Sequence, residues 1–320
     1  MSPNQPSPPS DPFGFGPSEL EEARWLFRRA REEDLPSGDL TTDALFPKGE
    51  GGSGIVLEAA YVFREPGVVC GIPVLAALFS EEARGVQLEA LEPEGRRLES
   101  GSACLRVRGP AEEILRWERI SLNFFQRLSG IATGVRRWVE ALAGTSAELL
   151  DTRKTTPAWR RLEKYAVRVG GAKNHRGSLS DAFLVKDNHK QVLLALGEGE
   201  FEQGIVRLRE RRPEVFLEVE VDSREEFQRA LEAPLDAILL DNFSLSDLRW
   251  AVETRNRSGR RRPLLEASGG VRLETVRAIA ETGVDRISAG SLTHSARAVD
   301  VGLDVLGVRR QGRNEGARRR

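Results

Sequence analysis

VFLEVEVD at residues 215–222, AILLD at 237–241 and LLEAS at 264–268 are short apolar runs, each closed by a polar residue. ELLDT at 148–152, FLVK at 183–186 and RISAG at 286–290 share the pattern. A helical stretch follows each of them. Strands that alternate with helices must lie parallel, because each helix carries the chain back to the start of the next strand. Six such units point to a closed or nearly closed α/β barrel. An open doubly wound sheet is the alternative. The barrel is the better reading because no Gly-rich dinucleotide fingerprint follows any strand.

The chain before these units has another texture. Residues 18–31 predict an opening helix with Ser18 as N-cap. Strand-like stretches at 54–63, 86–91 and 104–107 enclose a short helix at 74–80, which suggests a small α+β layer. A long helical stretch, about 111–142, leads into the repeating half. The Pro- and Ser-rich start (1–17) and the Arg-rich end (309–320) read as a flexible tail and a solvated basic tail.

Composition bounds what the chain can do. Its 320 residues suffice for two ordinary domains, and a net charge of -1 gives no global argument for nucleic acid or an anionic membrane. Two cysteines, Cys70 and Cys104, are too few for a disulfide framework and sit in apolar surroundings, so they read as core thiols. No apolar run approaches the roughly 18 residues that span a bilayer, and no signal peptide is evident. The expectation is a cytoplasmic protein without nucleic-acid or membrane partners.

Active sites of α/β barrels lie at the C-terminal ends of the strands. Those ends carry Asp151, Arg153 and Lys154; Lys186 and Asp187; Glu220 and Asp222; and Asp241 and Asn242. The last two strands end in Ser268-Gly269-Gly270 and Ala289-Gly290, and a loop holds Asn174-His175-Arg176. Cations cluster at the early strands, carboxylates at the middle ones and glycines at the last. That order suits an anionic substrate, a metal-bound group and a phosphate cradled by backbone N–H groups. Bland readings stand beside it: solvated charges, Asp241 as a helix cap, glycines as turn formers. Of 48 basic residues only six are lysines, and Lys154, Lys164, Lys173, Lys186 and Lys190 all fall between 151 and 190, with His175 and His189.

One stretch, DTRKTTPAWRRLEKYAVRVGGAKNHRGSLSDAFLVKDNH (151–189), closely resembles quinolinate phosphoribosyltransferase. EDLPSGDLTTDALFP (33–47), ERISLNFFQRLSGIAT (118–133), EVEVDS (218–223), ILLDNF (238–243), EASGGV (266–271) and ETGVDRISAGSLTHS (281–295) carry the likeness along residues 19–307. The resemblance implies an N-terminal α/β sandwich domain (18–122, with 298–308 returning to it) and an incomplete, seven-stranded α/β barrel (123–297). It implies transfer of phosphoribose from phosphoribosyl pyrophosphate to quinolinate, giving nicotinate mononucleotide, CO2 and pyrophosphate.

By the same resemblance, Arg153, His175, Arg176, Lys154 and Lys186 line the quinolinate pocket. Glu220 and Asp241 face the ribose and a Mg2+-pyrophosphate, with Lys154, Lys186, Glu220 and Asp241 as the catalytic set. Ser268, Gly269, Gly270 and Gly290, with Ala289 beside them, hold the 5-phosphate. Arg119 reaches into the site of a partner in a homodimer or larger assembly. Planar guanidiniums grip carboxylates in pairs, and Mg2+ prefers a few hard oxygen ligands. Three other readings remain: a paralogous phosphoribosyltransferase with another acceptor, such as the homologue of molybdate-transport operons; a non-catalytic metabolite-binding barrel; and nucleic-acid binding by the basic tail.

Overall fold

A computed structural model describes residues 12–46, 54–197, 199–257 and 263–310; most of the two tails, 1–11 and 311–320, lies outside the described residues. The chain divides into two compact units. One comprises the chain up to Thr133 with Pro157–Gly170 and the segment from Ala296; the other is Gly134–Thr156 with Gly171–Ser295.

In the first unit, helices α1 (Pro17–Asp34) and α2 (Leu40–Leu45) precede strands β1 (Ile55–Phe63) and β2 (Gly67–Val68). Helix α3 (Ile72–Glu82), strands β3 (Gln87–Ala90), β4 (Arg97–Leu98) and β5 (Ala103–Pro110), and the long helix α4 (Ala111–Ala141), whose residues from Gly134 on belong to the second unit, follow. The sheet is antiparallel throughout, and one edge strand comes from the far end of the chain: β12 (Val301–Arg310) pairs with β1, setting Tyr61 opposite Leu303. The order is β12-β1-β5-β3. Up to Thr133, helix α4 lays one stripe on the core, with Ile114, Trp117, Phe124, Phe125, Leu128 and Ile131 all buried. Steps of three, four and seven residues keep Ile114, Trp117, Phe124, Leu128 and Ile131 on one face of a 3.6-residue helix, with Phe125 beside Phe124. Phe125 meets Tyr61 edge-on at 5.8 Å between ring centroids, and the Tyr61 hydroxyl shares a 2.6 Å hydrogen bond with Ser121. Burying each such side chain stabilises the unit by roughly 2–3 kcal/mol.

Several sequence expectations shift here. The α1 N-cap is Gly16, not Ser18: Pro17 takes the first helical position, and the Gly16 N–H donates to Glu19 Oε2 at 3.1 Å. The N-terminal tail is shorter than 17 residues, because the Arg168 guanidinium donates to the carbonyls of Phe13 and Gly14 (2.7 and 3.0 Å) and Phe15 meets Tyr165 edge-on. Arg309 and Arg310 belong to β12, so the basic tail starts after them. Cys70 and Cys104 are core thiols, and burial pushes the Cys104 thiol up to about 12.

The largest shift concerns α5 (Arg160–Gly170), which belongs to the first unit although it lies within the stretch read as barrel. Long-range polar contacts explain this. Glu22 accepts from the Leu162 N–H (2.9 Å), the Tyr165 hydroxyl donates to Glu94 (2.8 Å), and buried Glu163 accepts from Arg127 (2.6 Å). Among the described residues no helix is long and apolar enough to cross a membrane.

The second unit is an incomplete α/β barrel. Its strands are β6 (Glu148–Leu150), β7 (Phe183–Val185), β8 (Leu217–Val221), β9 (Ala237–Asp241), β10 (Leu264–Ser268) and β11 (Arg286–Ser288). Helices α6 (Asp187–Leu196), α7 (Glu200–Arg211), α8 (Arg224–Leu231), α9 (Leu245–Arg257), α10 (Leu273–Ala280) and α11 (Ser291–His294) connect or follow them. All strands run parallel in the order β6-β11-β10-β9-β8-β7. Among the described residues the sheet has six strands, where the resemblance implied seven. The seventh place is held by Lys173 alone, whose N–H donates to Leu149 O and whose carbonyl accepts from Asp151, each once. A single bridge fits there because Gly171, at φ +103, turns the chain in and the polar loop 174–176 turns it out again. Register sets Ser268 beside Asp241 and Glu266 beside Leu239, which brings polar strand ends to one rim.

Candidate active site

At that rim the second unit holds a cavity of about 300 Å³. The end of β6 contributes Thr152, Arg153 and Lys154, and the following loop contributes His175 and Arg176. Leu184 and Lys186 come from β7 and its end, Glu220 from β8, Leu239 and Asp241 from β9, Glu266, Ser268 and Gly269 from β10 and its end, and Ser288 from β11.

The 174–176 loop is pinned by the fully buried Asp151, which accepts from the His175 N–H and from Asn174 Nδ2, both at 2.8 Å. Next along the loop, His175 Nδ1 accepts the Arg176 N–H at 2.8 Å. A ring nitrogen that accepts carries no hydrogen, so the proton sits on Nε2. From there it is donated to Glu218 Oε2 at 3.0 Å, while Glu266 Oε1 lies 3.6 Å away. Both carboxylates are buried. Arg176 donates to Ala182 O (2.9 Å); burial first, and then the charge of Arg153, lowers its affinity for a proton. Two guanidiniums held that close create a field that an anion would relieve.

Opposite them, Glu220 lies 3.7 Å from Lys186. Burial raises the Glu220 pKa; Lys186 works against that and the nearby Asp241 reinforces it. Asn242 sits at φ +56, its N–H bound to Ser268 O (2.9 Å) and its side chain donating to Asp241 Oδ2 (2.8 Å). Gly269, at φ +83, passes so close that a Cβ there would stand 2.4 Å from Asn242 Oδ1 and 2.7 Å from Asp241 Oδ1. Gly290 permits a similar close approach, since a Cβ there would come within 3.0 Å of the Lys154 stem and of His294.

Residues 39–129 match the model of the quinolinate phosphoribosyl transferase N-terminal domain, and residues 131–304 match that of its C-terminal domain. The chain belongs to the quinolinate phosphoribosyl transferase family. It is 44% identical over 294 residues to the nicotinate-nucleotide pyrophosphorylase (carboxylating) of Mycobacterium leprae, covering 90% of this chain and 98% of that protein. The solved nicotinate-nucleotide pyrophosphorylase of Francisella tularensis superposes with a TM-score of 0.80 at 32% identity, covering 89% of this chain and 96% of that one. That of Ehrlichia chaffeensis gives 0.79 at 36%, covering 88% and 98%.

Of the site residues expected of a quinolinate phosphoribosyl transferase, the cavity gathers Arg153, Lys154, His175, Arg176, Lys186, Glu220, Asp241, Ser268 and Gly269. Gly270, Ala289 and Gly290 are not among its lining residues. Ala289 is buried with its N–H on Leu150 O, and Gly270 is exposed. Arg119 is exposed on α4 in the first unit. The lysine clustering was only half informative. Lys173 pairs with Glu148, Lys190 pairs with Glu226, and Lys164 belongs to α5 of the first unit.

Glu218, Glu266 and Ser288 were missed. A signal for two of them was present. In Leu217-Glu218-Val219-Glu220-Val221 the glutamates alternate with valines, so Glu218 must share the Glu220 face. An acid inside an otherwise apolar strand, as Glu266 is, also calls for an explanation.

Proposed function

We propose that this chain transfers phosphoribose from phosphoribosyl pyrophosphate to the nitrogen of quinolinate with loss of CO2, giving nicotinate mononucleotide and pyrophosphate for NAD synthesis. One observation carries the reading: four cations, Arg153, Lys154, Arg176 and Lys186, share one small cavity with the Glu220–Asp241 carboxylates and the Gly269 close approach. Two adjacent ring carboxylates can each take a guanidinium, and the lysines add point charge. Nicotinate would leave the half-buried guanidiniums of Arg153 and Arg176 short of a partner, which disfavours it.

With quinolinate held by that cluster, its ring nitrogen faces the anomeric carbon of a donor whose phosphate lies near Ser268 and Gly269. Holding both in one geometry supplies much of the acceleration. Glu220 and Asp241 offset the positive charge that grows on the ribose as pyrophosphate departs. They also fit Mg2+: two hard oxygen donors from adjacent strands, with Asp241 disfavouring the charge on Glu220, form an electronegative spot that a small divalent cation relieves. Bound there, Mg2+ would neutralise the leaving pyrophosphate. We further propose a homodimer in which the exposed Arg119 of one protomer serves its partner's site. A cytoplasmic place of action goes with this reading.

The test is mass spectrometry of products after incubation with phosphoribosyl pyrophosphate, Mg2+ and either quinolinate or nicotinate. Nicotinate mononucleotide from quinolinate alone, with matching pyrophosphate, is expected. Product from nicotinate alone would overturn the substrate, and product from neither would overturn the reaction. Chelation of Mg2+ should stop turnover and addition of Mg2+ should restore it; turnover indifferent to both would remove the metal from the reading.

A further inference from the structure

The reaction proposed above needs an acid. When CO2 leaves ring carbon C2, its electron pair stays on that carbon, and a proton must replace the carboxylate. Among the groups lining the cavity, arginines hold their protons too tightly to serve. His175 is committed at both nitrogens, Nδ1 accepting from the Arg176 N–H and Nε2 donating to Glu218. Lys186 faces Glu220 at the opposite end, and the Lys154 stem lies against Gly290.

Glu266 is different. It forms part of the cavity wall, yet it is fully buried, and neither of its carboxylate oxygens makes a hydrogen bond of ordinary geometry. Its neighbours explain why it keeps a proton. Glu218 from β8 stands close, the three donor atoms of His175, Glu218 and Glu266 all lying within 4.8 Å of one another. The His175 N–H goes to Glu218, at 3.0 Å against 3.6 Å for Glu266. On the β11 side lie Ser288 and Arg286, and β9 offers the apolar Leu239 at the paired position. One N–H cannot serve two buried carboxylates, so the second is more stable as the neutral acid. Burial and the Glu218 charge push the Glu266 carboxyl up to about 7, only partly opposed by His175, Ser288 and Arg286. One imidazole and two carboxylates could suggest a metal, but Nε2 carries the hydrogen and has no lone pair to give. The cluster stores a proton instead.

The geometry points to Glu266 as the catalytic acid that protonates C2 during decarboxylation, an assignment that rests on the quinolinate reading above. The C2–carboxylate bond breaks and CO2 departs with neither of the bonding electrons. The pair left on C2 takes the proton as the Glu266 O–H bond breaks. Glu266 is left as a carboxylate beside the His175 N–H and Arg286, and water reprotonates it after product leaves.

The experiment is single turnover of the full chain and of Glu266→Gln with carboxyl-labelled quinolinate, phosphoribosyl pyrophosphate and Mg2+. Pyrophosphate, CO2 and ring products are followed together. Glu266→Gln is expected to bind quinolinate and release pyrophosphate near the wild-type rate. Formation of nicotinate mononucleotide should fall on the order of 100-fold or more, with the ribosylated dicarboxylate accumulating. Glu266→Asp should recover part of the loss. In the wild type, the product-forming step should slow as pH rises through about 7. Product formed in step with pyrophosphate by Glu266→Gln, beside an active wild type, would overturn the assignment and leave the substrate reading intact. A wild-type step that stays flat from about pH 6 to about pH 9 would overturn it as well, even if the glutamine variant fails to fold. A wild type that makes no product from quinolinate would instead sink the reading beneath it.

Discussion

Replacing Gly269 by alanine tests whether the Asp241 end of the cavity is held in place by a close backbone approach. Two costs can be worked out. An L-residue at φ +83 loses roughly 1–2 kcal/mol. The new methyl would lie 2.4 Å from Asn242 Oδ1 and 2.7 Å from Asp241 Oδ1, about 1 Å inside ordinary contact. The Asn242 amide must move by about that much, which breaks its 2.8 Å bond to Asp241 Oδ2 and costs about 1 kcal/mol more. The total, about 2–3 kcal/mol, should lower Tm by roughly 3–5 °C for a chain of 320 residues. A 1 Å displacement of Asp241 should cut kcat/KM on the order of 100-fold. Gly270→Ala is the comparison. It sits at φ +58, but its nearest neighbour, Asn242 Oδ1, is 3.8 Å away, so only the backbone cost applies. Its kcat/KM should fall about tenfold or less, well short of the Gly269 loss. The assay is pyrophosphate release with quinolinate, alongside thermal unfolding. Equal losses in kcat/KM for the two variants would refute the contact argument, since they share the backbone term.

Gly130→Ala would place a methyl 2.1 Å from Arg297 O and 2.9 Å from Ala298 Cα, where backbone must yield; we expect a loss of about 3 kcal/mol in thermal or urea unfolding, and an unchanged midpoint would contradict it. Glu266, raised from 4.5 to about 7, binds a proton when folded that the unfolded chain has lost. Its contribution to stability is therefore whole below about pH 4.5 and vanishes as pH rises through about 7, by up to on the order of 3 kcal/mol. Urea unfolding of wild type and Glu266→Gln at about pH 5 and about pH 8 isolates it, and a constant difference between the two proteins would refute the shift. Mixing inactive Arg119→Ala with inactive Lys154→Ala should restore activity through mixed dimers; none, despite proven subunit exchange, would rule out a shared site. Asp241→Ala should lower turnover far more than quinolinate affinity, measured by calorimetry, and loss of quinolinate binding would reverse the assigned ends of the cavity.

The sequence by itself determined the parallel half of this protein, because period and punctuation are local. Leu217-Glu218-Val219-Glu220-Val221 can bury its valines on one side only as a strand, and Asp241, Ser268 and Lys186 mark where strands stop. Arg153, Lys154, Lys186, Glu220, Asp241, Ser268 and Gly269 of the cavity were legible from those stops for the same reason, whereas Gly270, Ala289 and Gly290 lie off its lining. Other features depended on partners far away in the chain. That α5 joins the first unit follows from Glu22, Glu94 and Arg127, which lie 140, 71 and 36 residues from the groups they bind. That Phe13 and Gly14 are anchored follows from Arg168, and the seventh strand shrinks to Lys173 because its flanking turns leave room for nothing longer. The role of Glu266 was least visible of all. Whether a glutamate inside a strand is a solvated charge, a salt-bridge partner or a stored proton depends on which neighbouring strands bring charge and which bring donors. Only the barrel's register sets Glu218, His175 and Ser288 around it with too few hydrogens to share.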